Sequence, residues 1–220
     1  MPTSETAAGV PAEKERLRRA MKALRAAYWA DAAARRNESN AQDPAAADEE
    51  SLARAAAALR AAADARICAA VCSLPRFAAA ETVFLYNAFG SEAGTSAIAA
   101  RAKAEGKAVF YPRVRGREME LVRDEGQAFA RGPFGIMEPA GPAEHVLPQF
   151  CVLPLLAADA RFHRLGYGGG YYDRALAAWG DAAFKAGIGY DFQLLGTVPA
   201  EAHDVLTDAL VTDARVLVRR

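Results

Sequence analysis

The sequence has few cysteines and no net charge, and each scarcity excludes a class of protein. Its three cysteines, Cys68, Cys72 and Cys151, are too few and too irregularly spaced for the disulfide framework of a small secreted domain. Its 27 basic residues balance its 27 acidic residues, so no excess charge attracts nucleic acid or an anionic membrane. No stretch approaches the roughly 20 apolar residues of a membrane span. We therefore expect a cytoplasmic protein with neither nucleic acid nor a membrane as a partner.

The chain has a length and an apolar content suited to one compact domain. It contains 220 residues, of which 52% are hydrophobic. Residues 1–11 are small, polar and proline-containing, which predicts a disordered tail. Residues 35–50 are polar and without periodicity, which predicts an exposed loop. We expect residues 12–220 to form a single domain.

Two long helices are predicted in the N-terminal third. Apolar residues recur at three- or four-residue steps over about residues 12–34, at Leu17, Met21, Leu24 and Tyr28. A second, alanine-rich helix is predicted over about residues 48–73, with acidic residues in its first turn and Pro75 beyond its end. Alanine permits close packing of such helices but indicates no chemistry.

The first helix carries two pairs of basic residues. Lys14 and Arg18 have the i, i+4 spacing that projects both side chains from one face. From the spacing alone, a solvated basic face explains this pair most simply. Lys22 and Arg25 form a second pair, with a spacing of three residues.

The middle of the chain alternates strands and helices. Residues 82–86 and 107–112 are rich in β-branched and aromatic residues, and Ser91 or Thr95 can cap a helix that runs between them to about residue 104. Such a unit implies parallel strands with a right-handed connection, and ligands bind beyond the carboxyl ends of such strands. The fold class expected is α/β: a single three-layer domain with a mostly parallel, mixed sheet flanked by helices, and with long N-terminal helices.

The most distinctive stretch is Arg-Leu-Gly-Tyr-Gly-Gly-Gly-Tyr-Tyr-Asp at residues 164–173. It follows an apolar run at 151–156, which predicts a buried strand, and precedes a predicted helix at 174–179. Its glycines permit positive φ and leave N–H groups free, as phosphate-binding loops at helix N-termini require. Arg164 offers a planar fork to phosphate oxygens, and Asp173 offers a hard carboxylate to Mg²⁺.

Two familiar phosphate-binding motifs do not fit this loop. A Walker loop needs lysine where Tyr171 stands, and the dinucleotide fingerprint needs its third glycine at the same position. A glycine-rich surface turn without a ligand is the simpler alternative. The arginine, the aspartate and the two tyrosines around the glycines argue against that alternative.

The loop resembles the Arg-Leu-Gly-x-Gly-Gly-Gly-Tyr-Tyr-Asp-Arg motif of the 5-formyltetrahydrofolate cyclo-ligase family, also called 5,10-methenyltetrahydrofolate synthetase. Other segments resemble this family in the same order along the chain: Lys14–Arg18 (Lys-x-x-Leu-Arg in the family), Ser91–Thr95 (Gly-Glu-Val-x-Thr), Phe134–Pro139 (Gly-Ile-x-Glu-Pro) and Val198–Asp208 (Val-Pro-x-Glu-x-His-Asp-x-x-x-Asp). The chain departs from the family at 158–162, where it lacks the phenylalanine and the turn glycine of Phe-Asp-x-x-Gly.

The resemblance implies an enzyme that cyclises 5-formyltetrahydrofolate with ATP as co-substrate and Mg²⁺ as cofactor. The sequence does not reveal the oligomeric state, and we expect a monomer. It implies that ATP contacts Lys14, Arg18, Arg164, Leu165, Gly166, Tyr167, Gly168, Gly169, Gly170, Tyr171 and Tyr172. Folate is expected at Leu85, Tyr86, Glu92 and Tyr171, and the metal at Asp173 and Asp204.

Arg164, Tyr172 and Asp173 are the catalytic residues that the resemblance implies. Which of Tyr171 and Tyr172 stacks on the folate and which hydrogen-bonds to it stays open, and Glu138, which precedes a proline, is left outside the predicted site. A binding module without turnover and an unrelated small-molecule kinase are the alternative functions.

Overall fold

The computed structural model describes residues 4–40 and 48–220, which contain five α-helices, two 3-10 helices (Gly180–Ala182 and Asp191–Gln193) and twelve strands. The helices are α1 (Ser4–Asn40), α2 (Glu49–Cys72), α3 (Pro75–Ala79), α4 (Ser96–Ala104) and α5 (Tyr171–Trp179). The strands are β1 (Thr82–Phe84), β2 (Ala108–Arg115), β3 (Glu118–Arg123), β4 (Phe129–Arg131), β5 (Met137–Pro139), β6 (Phe150–Pro154), β7 (Ala157–Asp159), β8 (Arg164–Leu165), β9 (Phe184–Ile188), β10 (Leu194–Leu195), β11 (Ala209–Val211) and β12 (Val216–Val218).

Seven of the strands form one sheet in the order β12-β11-β9-β6-β1-β2-β3. The five central strands are parallel, and β3 and β12 run antiparallel at the two edges. The chain passes from β1 to β2 on one side and later to β6 on the other, so the strand order reverses at β1. Such a reversal opens a crevice at the carboxyl ends of the strands, where ligands of open α/β sheets bind.

Helices cover both faces of this sheet. In β1, Val83 is buried in a cluster with residues of α2, α3 and α4, whereas Phe84 is buried in a second cluster with Leu176 of α5. Successive residues of a strand point to opposite faces, so each face buries its own set of side chains. The three-layer α/β fold with a mostly parallel, mixed sheet is therefore confirmed.

The first helix is longer than the sequence predicted. It begins at Ser4 and ends at Asn40, so the predicted tail is helical from Ser4 and the predicted loop at 35–50 is helical up to Asn40. A polar, aperiodic segment that is rich in alanine, glutamate and arginine can still form a helix when the helix need not bury one of its faces. Residues 1–3 and 41–47, which belong to the same two predictions, lie outside the described residues. The single domain over 12–220 stays a prediction.

The second helix follows its prediction closely. It begins at Glu49 after Asp48, whose carboxylate accepts a hydrogen bond of 2.7 Å from the Ser51 amide and so caps the helix. Neither α1, as far as it is described, nor α2 is apolar enough over a sufficient length to cross a membrane, and the same is true of the shorter described helices.

The path into the glycine loop differs from the prediction. β6 ends at Pro154, and the chain then forms the antiparallel pair β7 and β8, which belongs with β10 to a separate three-stranded sheet. Asp159 closes the turn between β7 and β8 by accepting hydrogen bonds from the amides of Arg161 and His163. Phe162 in this turn has φ 68°, so it takes up the left-handed conformation where the family motif has glycine. The turn forms without the glycine.

Candidate active site

A pocket of about 490 Å³ opens beyond the carboxyl ends of β1, β2 and β6. Its walls come from the segment after β1, the β2–β3 hairpin, the chain around β5, and the glycine loop with the first turn of α5. The lining residues are Tyr86, Asn87, Phe89, Glu92, Pro112, Val114, Met119, Phe134, Ile136, Glu138, Pro154, Arg164, Gly166, Tyr167, Gly168, Gly169, Gly170, Tyr171, Tyr172 and Asp173. The sheet edge predicted to hold the site is thus the edge that carries the pocket.

The glycine loop, residues 166–170, approaches the side chain of Arg18 closely. The Nε atom of Arg18 donates a hydrogen bond of 3.0 Å to the carbonyl oxygen of Gly166. A Cβ atom at Gly168, whose φ is 96°, would lie 3.0 Å from the Arg18 guanidinium carbon. Glycine is therefore needed at position 168 for two reasons: the backbone is left-handed there, and the Arg18 guanidinium occupies the space that a side chain would fill. Gly170, with φ 67°, precedes α5, which begins at Tyr171 rather than at the predicted Arg174.

Arg164 and Asp173 form an ion pair at the pocket wall. Arg164 Nη2 donates a hydrogen bond of 2.7 Å to Asp173 Oδ1, and the Arg164 side chain is 4% exposed. Within the described part of the chain, the Nε atom of Arg164 is buried without a hydrogen-bond partner. A buried donor without a partner is costly, so it suits an acceptor brought by a ligand. The structure brings these two predicted catalytic residues together.

The two tyrosines of α5 point to different surroundings. The hydroxyl of Tyr171 donates a hydrogen bond of 3.0 Å to the carbonyl oxygen of Gly116, and its ring packs edge-on against Phe134 with 5.6 Å between centroids. Tyr172 packs edge-on against Phe84. Burial, and the charge of Glu92, raise the pKa of Tyr172, so its hydroxyl keeps its proton.

Glu92 is a buried carboxylate at the pocket. Its residue is 5% exposed, and its Oε2 atom accepts a hydrogen bond of 2.9 Å from the Phe89 amide. Burial raises the pKa of Glu92, and the Phe89 amide, the charge of Arg25 and a hydrogen bond from Tyr167 offset this only in part. Nearby, Tyr86 presents its ring to the pocket while its hydroxyl donates to the Ala93 carbonyl at 2.6 Å.

Lys14 and Asp204 meet each other outside the pocket lining. The Lys14 ammonium lies 2.6 Å from Asp204 Oδ2 and 2.7 Å from Glu201 Oε2. Burial raises the pKa of Asp204, but hydrogen bonds from Lys14 and from the Glu201 amide outweigh it and hold that pKa below its usual value. Glu201, His203 and Asp204 offer ligand atoms within 4.8 Å of one another; Asp173 is not part of this group.

Two leucines of the predicted site lie in the core instead of lining the pocket. Leu85 is fully buried in the cluster beneath α2 and α4, and Leu165 is 2% exposed and packs with Met21 of α1 and Leu156. Both belong to apolar strand ends whose side chains alternate between core and pocket. Their neighbours Tyr86 and Gly166 face the pocket.

Four residues that the sequence prediction left out lie at the site or beside it. Phe134 and Glu138 line the pocket, and Glu138 Oε1 accepts a hydrogen bond of 3.1 Å from the Val114 amide. Glu201 and Asp204 both form ion pairs with Lys14, and Arg25 donates a hydrogen bond to the Tyr167 hydroxyl. Phe134, Glu138 and Glu201 stand within segments that resemble the family, which was the available signal. For Arg25 the only signal was its i, i+7 spacing from Arg18, which returns to the same helix face.

Comparisons with known proteins agree on one family. The sequence model of the 5-formyltetrahydrofolate cyclo-ligase family matches residues 10–213. The chain is 31% identical over 171 residues to a probable 5-formyltetrahydrofolate cyclo-ligase of Schizosaccharomyces pombe, covering 69% of this chain and 84% of the relative. It is 30% identical over 151 residues to the 5-formyltetrahydrofolate cyclo-ligase of Escherichia coli K12, covering 64% of this chain and 83% of that enzyme.

Solved structures show the same relationship. The chain is similar to a 5,10-methenyltetrahydrofolate synthetase of Aquifex aeolicus with a TM-score of 0.64 and 28% identity, covering 89% of this chain and 92% of the other. A 5,10-methenyltetrahydrofolate synthetase of Mycoplasma pneumoniae shares the fold, with a TM-score of 0.63, 20% identity, and coverage of 91% and 99%. The family match over residues 10–213, together with the Schizosaccharomyces pombe relative, establishes that the chain belongs to the 5-formyltetrahydrofolate cyclo-ligase family.

Proposed function

We propose that the protein converts 5-formyltetrahydrofolate to 5,10-methenyltetrahydrofolate and hydrolyses ATP to ADP and phosphate as it does so. Family membership supports the reaction. The observation that carries the proposed site is one pocket lined both by the glycine loop with Arg164 and Asp173 and by the carboxylate of Glu92. The first group suits a triphosphate, and the second suits the N–H edge of a heterocycle.

The reaction needs a better leaving group than the formyl oxygen. In the proposed mechanism, this oxygen takes the γ-phosphoryl group of ATP, and N10 of the folate attacks the formyl carbon. The carbon–oxygen bond then breaks, the oxygen leaves as part of phosphate, and N10 loses its proton. Phosphoryl transfer depends mainly on positioning and on neutralising charge, so no nucleophilic side chain of the protein is needed.

The glycine loop and two arginines are the proposed phosphate-binding groups. Arg18 is held over Gly168 by its hydrogen bond to the Gly166 carbonyl, and Arg164 is held by Asp173. The amides of residues 166–170 would add hydrogen-bond donors to the phosphate oxygens. Lys14 projects from α1 one turn before Arg18, and we propose that it joins them at the phosphates.

Asp173 and Asp204 are the proposed ligands of Mg²⁺, and we propose Glu201 as a third. The carboxylates of Glu201 and Asp204 are hard oxygen donors within 4.8 Å of each other, as Mg²⁺ requires. Both carboxylates lie within 2.7 Å of the Lys14 ammonium, which supports a preference of this position for cations. When bound, Mg²⁺ would neutralise charge on the phosphate oxygens. Asp173 would approach from the first turn of α5.

The other groups of the pocket are proposed for folate. Glu92 would accept hydrogen bonds from the heterocycle, and the ring of Tyr86 would line the same end. Tyr172 keeps its proton because burial raises its pKa, so we propose it as a hydrogen-bond donor at the reacting formyl group. The hydroxyl of Tyr171 already donates to Gly116, so we propose its ring as the stacking surface. Leu85 would act only by packing behind Tyr86.

The experiment that tests the function follows the near-ultraviolet absorbance of the methenyl product. Purified protein is mixed with 5-formyltetrahydrofolate and Mg²⁺, and the absorbance is recorded before and after ATP is added. We expect an ATP-dependent rise whose rate falls at least about a hundredfold in Asp173→Ala, because Arg164 loses its partner and the site loses a carboxylate. Asp181→Ala, an exposed aspartate outside the pocket, is the matched control.

Two other results would contradict the proposal. A binding module would bind ATP and folate with no rise in absorbance. A small-molecule kinase would transfer phosphate to a stable product, whereas the proposed reaction releases free phosphate in step with the methenyl product. Circular dichroism of Asp173→Ala separates a loss of chemistry from a loss of fold.

We also propose that the protein works as a monomer. One chain supplies the glycine loop, Arg164, Asp173 and Glu92 to a single pocket, which supports this proposal. The cytoplasmic location, and the lack of nucleic acid or a membrane as a partner, stay predictions from the sequence.

A further inference from the structure

Arg25 is a buried arginine that connects three separate segments. It lies on α1 and is 4% exposed. Its Nε atom donates to Ser91 Oγ at 3.1 Å, its Nη1 atom donates to the Leu155 carbonyl at 3.4 Å, and its Nη2 atom donates to the Tyr167 hydroxyl. A buried guanidinium is costly unless its donors are satisfied, so the arginine and its partners fix one another's positions.

Tyr167 carries the effect of Arg25 into the pocket. Its ring lines the pocket and lies 5.7 Å from the Arg25 guanidinium carbon, with the Lys22 ammonium 5.0 Å from the same ring centroid. Its hydroxyl accepts the hydrogen bond from Arg25, and Glu92 lines the same pocket as Tyr167. Ser91, the second partner of Arg25, is the residue immediately before Glu92. Arg25 therefore holds two neighbours of Glu92, one in the pocket wall and one in the chain.

We propose that Arg25 is a positioning residue for the folate subsite, which holds Tyr167 and Ser91 and so fixes the Glu92 carboxylate at the pocket wall. The inference rests on the proposed function, since it concerns how Glu92 binds the folate. The ligand that this arrangement fits is a neutral heterocycle edge with two adjacent N–H donors, because an ionised carboxylate accepts two parallel hydrogen bonds.

The surroundings of Glu92 give the sign of the effect. The charged and titratable groups that face it are Arg25 of α1, Arg60 of α2, Tyr86 after β1, Tyr167 of the glycine loop, Tyr172 of α5 and Tyr190 after β9. Arg60 donates to the main-chain carbonyl of Glu92 at 2.7 Å and not to its carboxylate. Burial raises the pKa of Glu92, while Arg25 and Tyr167 lower it. Loss of either partner should therefore raise that pKa further and leave less anion at a given pH.

The test measures equilibrium binding of 5-formyltetrahydrofolate by calorimetry, without ATP, between about pH 5 and pH 9, the range over which a raised carboxyl pKa becomes visible. Binding by the wild type should weaken as the pH falls through the pKa of Glu92. In Arg25→Met and Tyr167→Phe this weakening should begin roughly one pH unit higher, so that binding on the slope is about tenfold weaker. The ATP affinity should change less than the folate affinity, since both variants alter side-chain groups and leave the main-chain amides of the glycine loop in place.

Two further variants sharpen the test. Lys22→Gln removes a cation that lies over the same tyrosine ring but breaks no hydrogen bond to the tyrosine hydroxyl. Its binding curve should therefore coincide with that of the wild type. Arg25→Lys keeps the positive charge but loses the guanidinium group that donates hydrogen bonds to three partners. The pH at which its folate binding weakens should therefore lie between those of the wild type and Arg25→Met.

Distinct outcomes separate the two proposals. If Arg25→Met and Tyr167→Phe remain folded and keep the wild-type curve, Arg25 has only a structural role and the inference is wrong. If Arg25→Met fails to fold, Tyr167→Phe decides alone, because it removes one hydroxyl from a residue that is 44% exposed. If the wild type shows the predicted curves but forms no methenyl product with ATP, the proposed reaction fails while the inference about Arg25 stands.

Discussion

The glycine loop and the segment at 86–95 line the same pocket but differ in how far their residues are exposed to water. Residues 167–169 of the loop are exposed, and Arg18 reaches them from α1. In the other segment Tyr86, Glu92 and Thr95 are almost completely buried. The loop amides beside water are available to a highly charged ligand, whereas the desolvated carboxylate of Glu92 depends on a few hydrogen bonds. Changes in the loop should therefore act on ATP, and changes at Glu92 should act on folate and on pH dependence.

The two segments also differ in how their backbones are held. The glycine loop depends on left-handed residues, and its carbonyls accept hydrogen bonds from arginine side chains, Arg18 at Gly166 and Arg174 at Gly169. The other segment closes on itself, because Thr95 Oγ1 donates to the Tyr86 carbonyl at 2.8 Å and the Tyr86 hydroxyl donates to Ala93. The loop can thus adjust to its ligand, while Glu92 is fixed before its ligand arrives.

Gly168→Val should have the largest effect and should act on ATP. A side chain there meets the Arg18 guanidinium and forces valine into a left-handed conformation, at φ 96°. We expect kcat/KM for ATP to fall about a hundredfold, with folate binding in the absence of ATP little changed. Steady-state kinetics measure this.

Gly196→Val is the matched control, because a Cβ atom at Gly196 meets nothing within 4 Å and its φ is not left-handed. Equal losses of kcat/KM for ATP in Gly168→Val and in the control would contradict this prediction. A loss confined to folate binding would contradict it as well, because the loop would then not act on ATP.

Lys14→Met should come next, and it should act on stability as well as on ATP. It leaves the carboxylates of Glu201 and Asp204 facing each other without their cation. Their side chains are 31% and 16% exposed, so we expect a loss of about 2 kcal/mol in the free energy of unfolding, below the range for fully buried pairs. Denaturant titration measures this, and the KM for ATP should rise as well.

The loss in Lys14→Met should depend on pH. Because the pKa of Asp204 is held below its usual 3.8, the ionised carboxylate stabilises the fold above that pH, and this stabilisation disappears as the pH falls through the folded-state pKa. The two proteins should therefore converge in strong acid. Lys103→Met, which breaks a lysine–aspartate pair of 2.7 Å nearer the surface, is the control and should cost less than about 1 kcal/mol.

Glu92→Gln should weaken folate binding about tenfold, because a neutral amide replaces a charged acceptor, and should leave the KM for ATP within about twofold. It should also raise the melting temperature of the unliganded protein at pH 7. A carboxyl group whose pKa is raised by burial stabilises the fold only when protonated, and this contribution is lost as the pH rises above 4.5, its usual pKa.

The difference in melting temperature between Glu92→Gln and the wild type should consequently vanish in acid. Glu144→Gln, at an exposed glutamate, should show neither change. A Glu92→Gln variant that binds folate normally would remove Glu92 from the proposed site.

Phe162→Gly should have the smallest effect, although it lies in the turn that leads into the glycine loop. Glycine removes the strain of a left-handed phenylalanine, about 1 kcal/mol, but loses the packing of the ring against Leu155 and Leu210. We expect the two to cancel within about 1 kcal/mol in denaturant titration. Phe162→Val, with a β-branched residue at the same φ, should be clearly less stable than Phe162→Gly, and equal stability would show that the backbone conformation is unimportant.

The sequence predicted the glycine loop more fully than the segment that contains Glu92. The loop is contiguous, and glycine acts through local backbone freedom, so the residues that form it stand beside one another in the sequence. Glu92 was predicted through the resemblance of residues 91–95 to the family, but its burial could not be inferred. Leu85 and Tyr86 were both assigned to the folate; strand alternation predicts that neighbouring residues face opposite ways but does not fix which of them faces the ligand.

The sequence by itself determined the α/β class, the parallel strands, the loop at the start of α5 and, through resemblance, the family. These depend on periodicity and on residue types at short spacing, which the chain carries locally. The tertiary structure alone decided which charges meet: Lys14 pairs with Asp204 across 190 positions, and Arg25 pairs with Tyr167 across 142. The strength of such pairs depends on distance and desolvation, and both are set only when the helices and the sheet pack together.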